Sequence, residues 1–159
     1  LCFDRMAAVR KAAVAALGRM ATPEAVRALV AALGTGHDAN AELEASPVRA
    51  ALVAAGGAAV PALHKVLTGA PSRGAALSAA WVLGQLKAQT EAATLVSAMR
   101  RGVLPPAAAL RALAGAGNAS SVPVVLESIG DGSSAVRAEA RRAAAALLDP
   151  SKPDGRAVE

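Results

Sequence analysis

The chain has 159 residues, of which 54% are hydrophobic, with one Phe, one Trp, no Tyr and a formal net charge of +5. More than a quarter of the residues are alanine, which has the highest intrinsic helix propensity and lets helix axes approach closely. This composition excludes a β-sandwich or β-barrel, whose core requires many β-branched and aromatic residues. The length is sufficient for one domain with a substantial core.

Cysteine content and apolar runs restrict the class of protein further. The single cysteine, Cys2, excludes an internal disulfide and a cysteine-cluster metal site. Charged residues and glycines interrupt every apolar run before it reaches the roughly 20 residues that a membrane span needs. Asp4 and Arg5 interrupt the start of the chain, so no signal peptide is visible. We therefore expect a cytoplasmic protein without a membrane span.

The first predicted elements form a pair of helices. The first helix, helix A, starts near Val9-Arg10 and ends near Leu17-Gly18, and its apolar residues share one face: Val9, Ala13, Ala16, Leu17 and Met20. The second, helix B, starts at Thr22-Pro23, where Thr supplies an N-cap and Pro is tolerated in the first turn. Its apolar residues also share one face: Val26, Leu29, Val30 and Leu33. A tight turn joins the two helices.

This helix pair recurs along the chain. The start of helix A returns at residues 48, 75, 105 and 136, and helix B returns at 59–67, 92–99 and 121–129. The last three steps agree with a unit of about 30 residues, a period typical of solenoids. The first step is longer, which places an insertion between Leu33 and Pro47.

The repeated residues resemble the HEAT-like repeats of the phycobilisome-lyase type. The family pattern is a Val-Arg pair, an Ala-rich helix A ending in Leu-Gly, and a helix B with Ala-Val-Pro-x-Leu. It matches Val9-Arg10, Leu17-Gly18, Val48-Arg49, Val60-Pro61-Ala62-Leu63, Leu83-Gly84, Val122-Pro123 and Val136-Arg137. The resemblance covers about residues 5 to 148. It implies an all-α fold, a right-handed α-solenoid (alpha-alpha superhelix) of about 4.5 helix pairs.

We predict one HEAT-like repeat domain over residues 1–148. Its repeats span about 5–33, 47–70, 72–101, 104–130 and 133–148, and an insertion loop occupies 34–46. The last unit is a helix A without its helix B. Residues 149–159 contain two prolines near their start and are predicted to be a disordered C-terminal tail.

The arginines of the Val-Arg pairs, Arg10, Arg49 and Arg137, are predicted to be structural. The resemblance implies that this Arg pairs with an acidic residue of the preceding loop, and Asp131 lies six residues before Arg137. The alternative is a basic ladder that contacts a partner directly.

The resemblance also implies that helix B lines the concave face of the solenoid, so that its polar residues are candidates for partner contact. They are Glu24, Arg27, His64, Lys65, Glu91, Thr94, Ser97, Arg100, Arg101, Glu127 and Ser128. Their mixed charges favour a protein surface over a track for phosphates. The alternative is a solvated face without a partner.

Two further features predict contact with a partner. Leu77 and Trp81 are i, i+4 neighbours on a helix A, at a position that is polar in the first unit. An exposed Leu-Trp pair predicts an interface anchor, because Trp is enriched at hot spots; alternatively, Trp81 covers a neighbouring helix. The insertion loop carries His37 and Asp38 together with Glu42 and Glu44. It is either a contact loop, a metal site without diagnostic ligand spacing, or a plain acidic loop.

No arrangement of residues in the sequence is typical of catalysis. His64 has no Ser, Cys or carboxylate partner at motif spacing, and the glycines fall at predicted turns. We therefore expect no catalytic residue, no metal and no cofactor.

The favoured function is a non-catalytic protein-binding scaffold or adaptor with a protein or peptide partner. Nucleic-acid binding is the alternative that the net charge permits, although basic residues are scattered and stacking aromatics are scarce. The resemblance alone suggests a third function, an accessory subunit of a tetrapyrrole (bilin) lyase.

Overall fold

The computed structural model describes residues 2–33, 46–69 and 71–149, and within these ranges every regular element is helical. This confirms the predicted all-α fold. The α-helices are α1 (Cys2–Met20), α2 (Pro23–Ala32), α3 (Pro47–Ala54), α4 (Val60–Thr68), α5 (Arg73–Gln85), α6 (Ala92–Arg100), α7 (Pro106–Ala116), α8 (Val122–Glu127) and α9 (Ser134–Leu147). Single 3₁₀ turns precede α4, α6 and α8 at Gly56–Ala59, Gln89–Glu91 and Ala119–Ser121, and another, Ser128–Gly130, follows α8.

The helices pack in two layers. In the A layer, α1, α3, α5, α7 and α9 lie side by side, each in contact with the next. The B layer consists of α2, α4, α6 and α8, in which α2 contacts α4 and α4 contacts α6. The layers also contact each other, with α2 against α1 and α3, α4 against α5, α6 against α7, and α8 against α9. Elements that are neighbours in sequence are therefore neighbours in space, as in a solenoid.

Hydroxyl side chains begin several of these helices. Thr22, Ser46 and Ser72 each accept a hydrogen bond from the backbone N–H three residues further along, at 3.3, 3.3 and 3.2 Å respectively. Proline occupies the first turn of α2, α3, α4, α7 and α8, where its missing N–H leaves no hydrogen bond unmade. The predicted N-cap at Thr22 is confirmed.

At two crossings of the A layer, α1 with α3 and α5 with α7, the helices approach so closely that glycine and alanine occupy the contact. A Cβ added to Gly18 would lie 2.6 Å from the carbonyl oxygen of Ala51, and one added to Gly84 would lie 3.1 Å from Cα of Ala112. A Cβ on Gly115 would overlap the carbonyl oxygen of Gly84. The glycine of the repeated Leu-Gly pair therefore sets the distance between neighbouring A helices.

Leucines fill the space between the layers. The following are at most 1% exposed: Leu29, Leu52, Leu63, Leu67, Leu83, Leu95, Leu104, Leu110, Leu113 and Leu147. They belong to one continuous cluster of buried residues that runs from α2 to α9. Each fully buried leucine contributes roughly 1.5–3 kcal/mol relative to an exposed one, so this cluster dominates the stability.

The first helix departs from the predicted pattern. Val9 and Met20, which were predicted to share the buried face of α1, are 68% and 62% exposed, whereas Val14 and Leu17 are half-buried against the core. Helix α1 packs chiefly on α2 and α3, and these two helices leave Val9 and Met20 uncovered. The predicted apolar face is therefore wrong at Val9 and Met20, and also at Ala13, which is exposed.

Two predicted segments lie largely outside the described residues. The insertion loop 34–46 is described only at Ser46, and the tail 149–159 only at Asp149. Among the described helices no single one is long and apolar enough to cross a bilayer; by length and composition only the bent pair Pro47–Ala54 and Gly56–Thr68 passes together.

Helices α5 and α6 end in turns with the same hydrogen-bond pattern. The residue with positive φ is Lys87 in the first turn and Gly102 in the second. After α5, Lys87 has φ 51°, and its N–H donates to Gly84 O while that of Ala88 donates to Leu83 O. After α6, Gly102 has φ 74° and makes the equivalent bond to Met99 O. Both turns are Schellman motifs, in which glycine avoids the Cβ penalty that Lys87 incurs.

We therefore expect the Lys87→Gly variant to be more stable than the parent by about 0.5–1 kcal/mol, because the left-handed backbone no longer carries a Cβ. Urea unfolding followed by circular dichroism measures the difference. Lys87→Ala removes the same charge but retains a Cβ, and it should produce no such gain. An equal gain from Lys87→Ala would show that charge, not backbone strain, is responsible.

The glycine crossings predict the opposite effect for an added methyl group. Gly115→Ala should lower the free energy of unfolding by about 2–3 kcal/mol, since α5 and α7 must move apart to accommodate the new Cβ. The matched control is Gly132→Ala, whose Cβ would meet nothing within 4 Å. Urea unfolding of both variants checks this, and equal stability of the two would contradict the close packing of the A layer.

Candidate functional site

His64 on α4 is held by a carboxylate of the next repeat unit. Its Nδ1 lies 2.7 Å from Oε2 of Glu91, which is 27 residues further along the chain. Because a carboxylate only accepts hydrogen bonds, Nδ1 donates to it. Oγ1 of Thr94 lies 3.2 Å from the same nitrogen. The sequence shows no carboxylate at motif spacing from His64, and folding brings Glu91 to it from the next helix pair.

Glu91 lies at a position where the other repeat units have alanine or serine. Counting back four residues from the buried leucine or valine of each B helix gives Ala25, Ala59, Glu91 and Ser121, all buried. The glutamate is 9% exposed. A buried carboxylate requires a partner, which His64 supplies. The signal in the sequence is the glutamate itself, at a position where other units have alanine or serine.

Other polar contacts join neighbouring units in the described part of the chain. Nη2 of Arg101 donates to the carbonyl oxygen of Leu67 at 2.6 Å, across 34 residues. Nδ2 of Asn118 donates to the carbonyl oxygen of Gln89 at 3.0 Å, across 29 residues. Each of these separations is close to the repeat period. The two side chains therefore connect successive units and are engaged within the domain.

The A layer contains a comparable contact. Arg111 on α7 donates to Oε1 of Glu139 on α9 through Nη2 at 2.7 Å and Nε at 3.2 Å, and Arg142 lies 3.2 Å from Oε2 of the same carboxylate. Glu139 is 8% exposed. Two guanidinium groups thus neutralise one nearly buried carboxylate, and charge-assisted hydrogen bonds of this kind are stronger than neutral ones.

The arginines of the Val-Arg pairs occupy three different environments. Nη1 of Arg137 donates to the carbonyl oxygens of Asp131 and Gly132, at 2.8 and 2.9 Å. The carboxylate of Asp131 instead accepts the N–H of Ser133, at 2.7 Å. Arg137 therefore contacts the predicted loop, but it binds the backbone carbonyl oxygens of that loop and not the carboxylate of Asp131. Arg49 is buried at 2% exposed, whereas Arg10 is exposed.

An exposed polar residue recurs at the same position of three B helices, α4, α6 and α8. Lys65, Ser97 and Glu127 each follow a buried residue, Leu63, Leu95 or Val125, by two positions, and all three are exposed. We call these three the B row. Their side chains make no hydrogen bond or ion pair with another described residue. They are therefore available to a partner, unlike His64 and Arg101.

Arg27, Arg100 and Ser128, the remaining candidates on the B layer, lie in three different environments. Arg27 makes an exposed ion pair with Glu24 on the same helix, at 3.0 Å. Arg100 lies at the end of α6 and lines an open cleft of about 610 Å³, together with Arg73 at the start of α5. The Oγ of Ser128 donates to the carbonyl oxygen of Val124 at 2.8 Å.

Trp81 packs over the neighbouring helix. It is half-buried against the core, and with Leu77, also half-buried, it lines a cavity of about 130 Å³ between α5 and α7. Arg111 and Ala108 form part of the opposite wall. The fully exposed Leu-Trp anchor is therefore not observed. The two side chains retain partial exposure beside the close crossing of α5 and α7.

The predicted residues His37 and Asp38 lie outside the described part of the chain. Among the described residues no group of three His, Cys, Asp or Glu side chains is close enough to hold a metal ion. The polar sites described above contain arginine, lysine, histidine, hydroxyl and carboxylate groups.

Comparison with known proteins supports the repeat assignment. Residues 9–35 match the family described as PBS lyase HEAT-like repeat. The matched segment contains most of α1 and all of α2, about one repeat unit. No curated protein and no solved structure matches the chain. The resemblance to HEAT-like repeats is confirmed for this segment.

The contact between His64 and Glu91 predicts measurable coupling between adjacent units. In a double-mutant cycle with His64→Ala and Glu91→Ala, we expect a coupling energy of about 1–2 kcal/mol, because one partner is nearly buried. The matched control is the exposed pair of Glu24 and Arg27, with an expected coupling of about 0.5 kcal/mol or less. Urea unfolding of the single and double variants measures both. Equal coupling in the two cycles would contradict a stabilising role for the contact between units.

Proposed function

We propose that this chain is a non-catalytic scaffold that binds a protein or peptide through the B layer. The observation that carries the proposal is the B row of Lys65, Ser97 and Glu127, which repeats at the same position of successive helices. These side chains are exposed and make no hydrogen bond or ion pair with a described residue that would compete with a partner. The row offers a partner both hydrogen-bond donors and acceptors, from an ammonium, a hydroxyl and a carboxylate group.

The packing beneath the B row favours binding. Leu63, Leu95 and Val125, two residues before the members of the row, are at most 1% exposed and anchor α4, α6 and α8. Contacts between units, such as that of His64 with Glu91, fix the helices relative to one another. A surface held in this way loses little conformational entropy on association.

The proposal includes the finer architecture expected from the repeat resemblance. The helices would form a right-handed α-solenoid of about 4.5 helix pairs, with the B layer on its concave side. A concave surface surrounds a peptide more completely than a flat one does, which is consistent with a protein or peptide partner. The same proposal places the protein in the cytoplasm, as the sequence led us to expect.

Two other functions receive less support. Nucleic-acid binding agrees with the net charge of +5, but the B row alternates basic, neutral and acidic groups and contains no aromatic residue on which a base would stack. An accessory role beside a tetrapyrrole lyase is suggested only by the repeat type. A chromophore pocket would be expected to contain aromatic residues. Among the described side chains Trp81 is aromatic, and it packs over α7, away from the B row.

Site-specific photocrosslinking tests the proposed function. A benzophenone amino acid placed at Ser97 should crosslink to a protein partner in a nuclease-treated lysate, since this position lies in the centre of the B row. The matched control places it at Ala138, an exposed position on α9 in the A layer. We expect the crosslinked yield from position 97 to fall at least about fivefold when Lys65 and Glu127 are both changed to Ala.

Mass spectrometry of the crosslinked products distinguishes the outcomes. A partner captured from position 97 and not from position 138, with or without nuclease, supports the scaffold function. Equal capture from both positions would contradict a binding role of the B layer. Capture that disappears after nuclease treatment would favour nucleic-acid binding instead.

A further inference from the structure

A second surface lies at the edge of the molecule where the repeat units connect. Pro71 and Arg73, before and at the start of α5, and the loop from α6 to α7 form the walls of the open cleft of about 610 Å³, which we call the loop cleft. Its main lining residues are Pro71, Arg73, Met99, Arg100, Val103 and Pro105. The cleft is separate from the B row, because Lys65, Ser97 and Glu127 do not line it.

The loop cleft carries positive charge that the domain does not neutralise. Arg73 and Arg100 are exposed, and neither guanidinium makes a hydrogen bond or ion pair with a described residue. None of the described residues that line the cleft is acidic. The contrast with Arg101 is informative, because that neighbour donates to the carbonyl oxygens of Leu67 and Thr68.

The two nearly buried carboxylates that the structure describes are engaged elsewhere. Glu91 contacts His64, and Glu139 contacts Arg111 and Arg142. The two arginines of the cleft therefore have no intramolecular partner of opposite charge in the described part of the chain. A guanidinium group offers a planar pair of donors that matches a carboxylate.

The walls between the two arginines are apolar and rigid. Pro71, Met99, Val103 and Pro105 are half-buried, so each presents part of its side chain to the cleft. Leu104 is 1% exposed and anchors the loop in the core. The N–H groups of Val103 and Leu104 both donate to the carbonyl oxygen of Ala98, at 2.9 and 3.2 Å. Contacts within the domain therefore hold the wall of the cleft that the α6–α7 loop forms.

We propose that the loop cleft binds a segment of a protein partner that contains both acidic and apolar residues. Carboxylates of the segment pair with Arg73 and Arg100, and an apolar side chain between them packs against Pro71, Met99 and Pro105. The proposal rests on the proposed function, in that the occupant belongs to a protein partner. A nucleic acid fits less well, because no aromatic residue among the described lining residues can stack on a base.

Fluorescence anisotropy with a defined probe tests this inference. The probe is a fluorescein-labelled peptide in which glutamates flank a Leu-Pro pair, and the matched control peptide has glutamine at each glutamate position. We expect the glutamate peptide to bind the full chain, and Arg73→Ala or Arg100→Ala to weaken binding about tenfold, the loss of one charged hydrogen-bonding group. Arg141→Ala is the matched protein control, since Arg141 is exposed on α9 and does not line the cleft.

Several results would overturn the inference. They are the absence of binding, equal binding of the glutamine peptide, or equal weakening by Arg141→Ala. A single-stranded oligonucleotide that competes for the same two arginines more strongly than the peptide would assign the cleft to nucleic acid. Circular dichroism of each variant verifies that the helices are unchanged.

The crosslinking experiment at position 97 separates this inference from the proposed function. If capture from position 97 persists in the Arg73→Ala variant while the glutamate peptide fails to bind the parent chain, the loop-cleft proposal is wrong and the B-layer proposal stands. If the peptide binds the cleft but position 97 captures no protein, the B-layer proposal is wrong and the cleft is the binding surface.

Discussion

The close approach of neighbouring A helices at glycine and alanine is the constraint on which the rest of this structure depends. Where Gly18 meets Ala51, and where Gly84 meets Ala112 and Gly115, the backbones are too close for a larger side chain. This explains why the chain is rich in alanine and poor in aromatic residues. Short helices with small contact surfaces bury enough area only when they stack repeatedly, and the leucines between the layers complete that burial.

Such a stack assigns polar residues to two different tasks. His64, Arg101, Asn118 and Arg111 each contact a neighbouring unit and stabilise the order of the helices. Polar side chains that are not needed for this purpose remain on the surface, in the B row and the loop cleft. Function in this chain is therefore expected where the contacts between units leave side chains unused. The two proposed surfaces meet this condition independently of each other.

The sequence was sufficient to predict the helices, the repeat and the N-cap at Thr22, because helical periodicity and turn residues act over a few positions. It could not show that Glu91 meets His64, since that contact depends on how one unit packs against the next. For the same reason it assigned Val9 to a buried face and left the exposure of Trp81 open. The sequence did not show that Arg73 and Arg100 line the same cleft, because the two residues come together only when the repeat units stack.

Native-state hydrogen exchange read by mass spectrometry tests the central claim most directly, because protection reports the local free energy of opening. If close A-layer packing organises the fold, the amides of α5 and α7 around Gly84 and Gly115 should be the most protected of the described helices. Protection should decrease toward α1, where Val9 and Met20 are exposed. Exchange in α5 and α7 as fast as that in α1 would contradict the account.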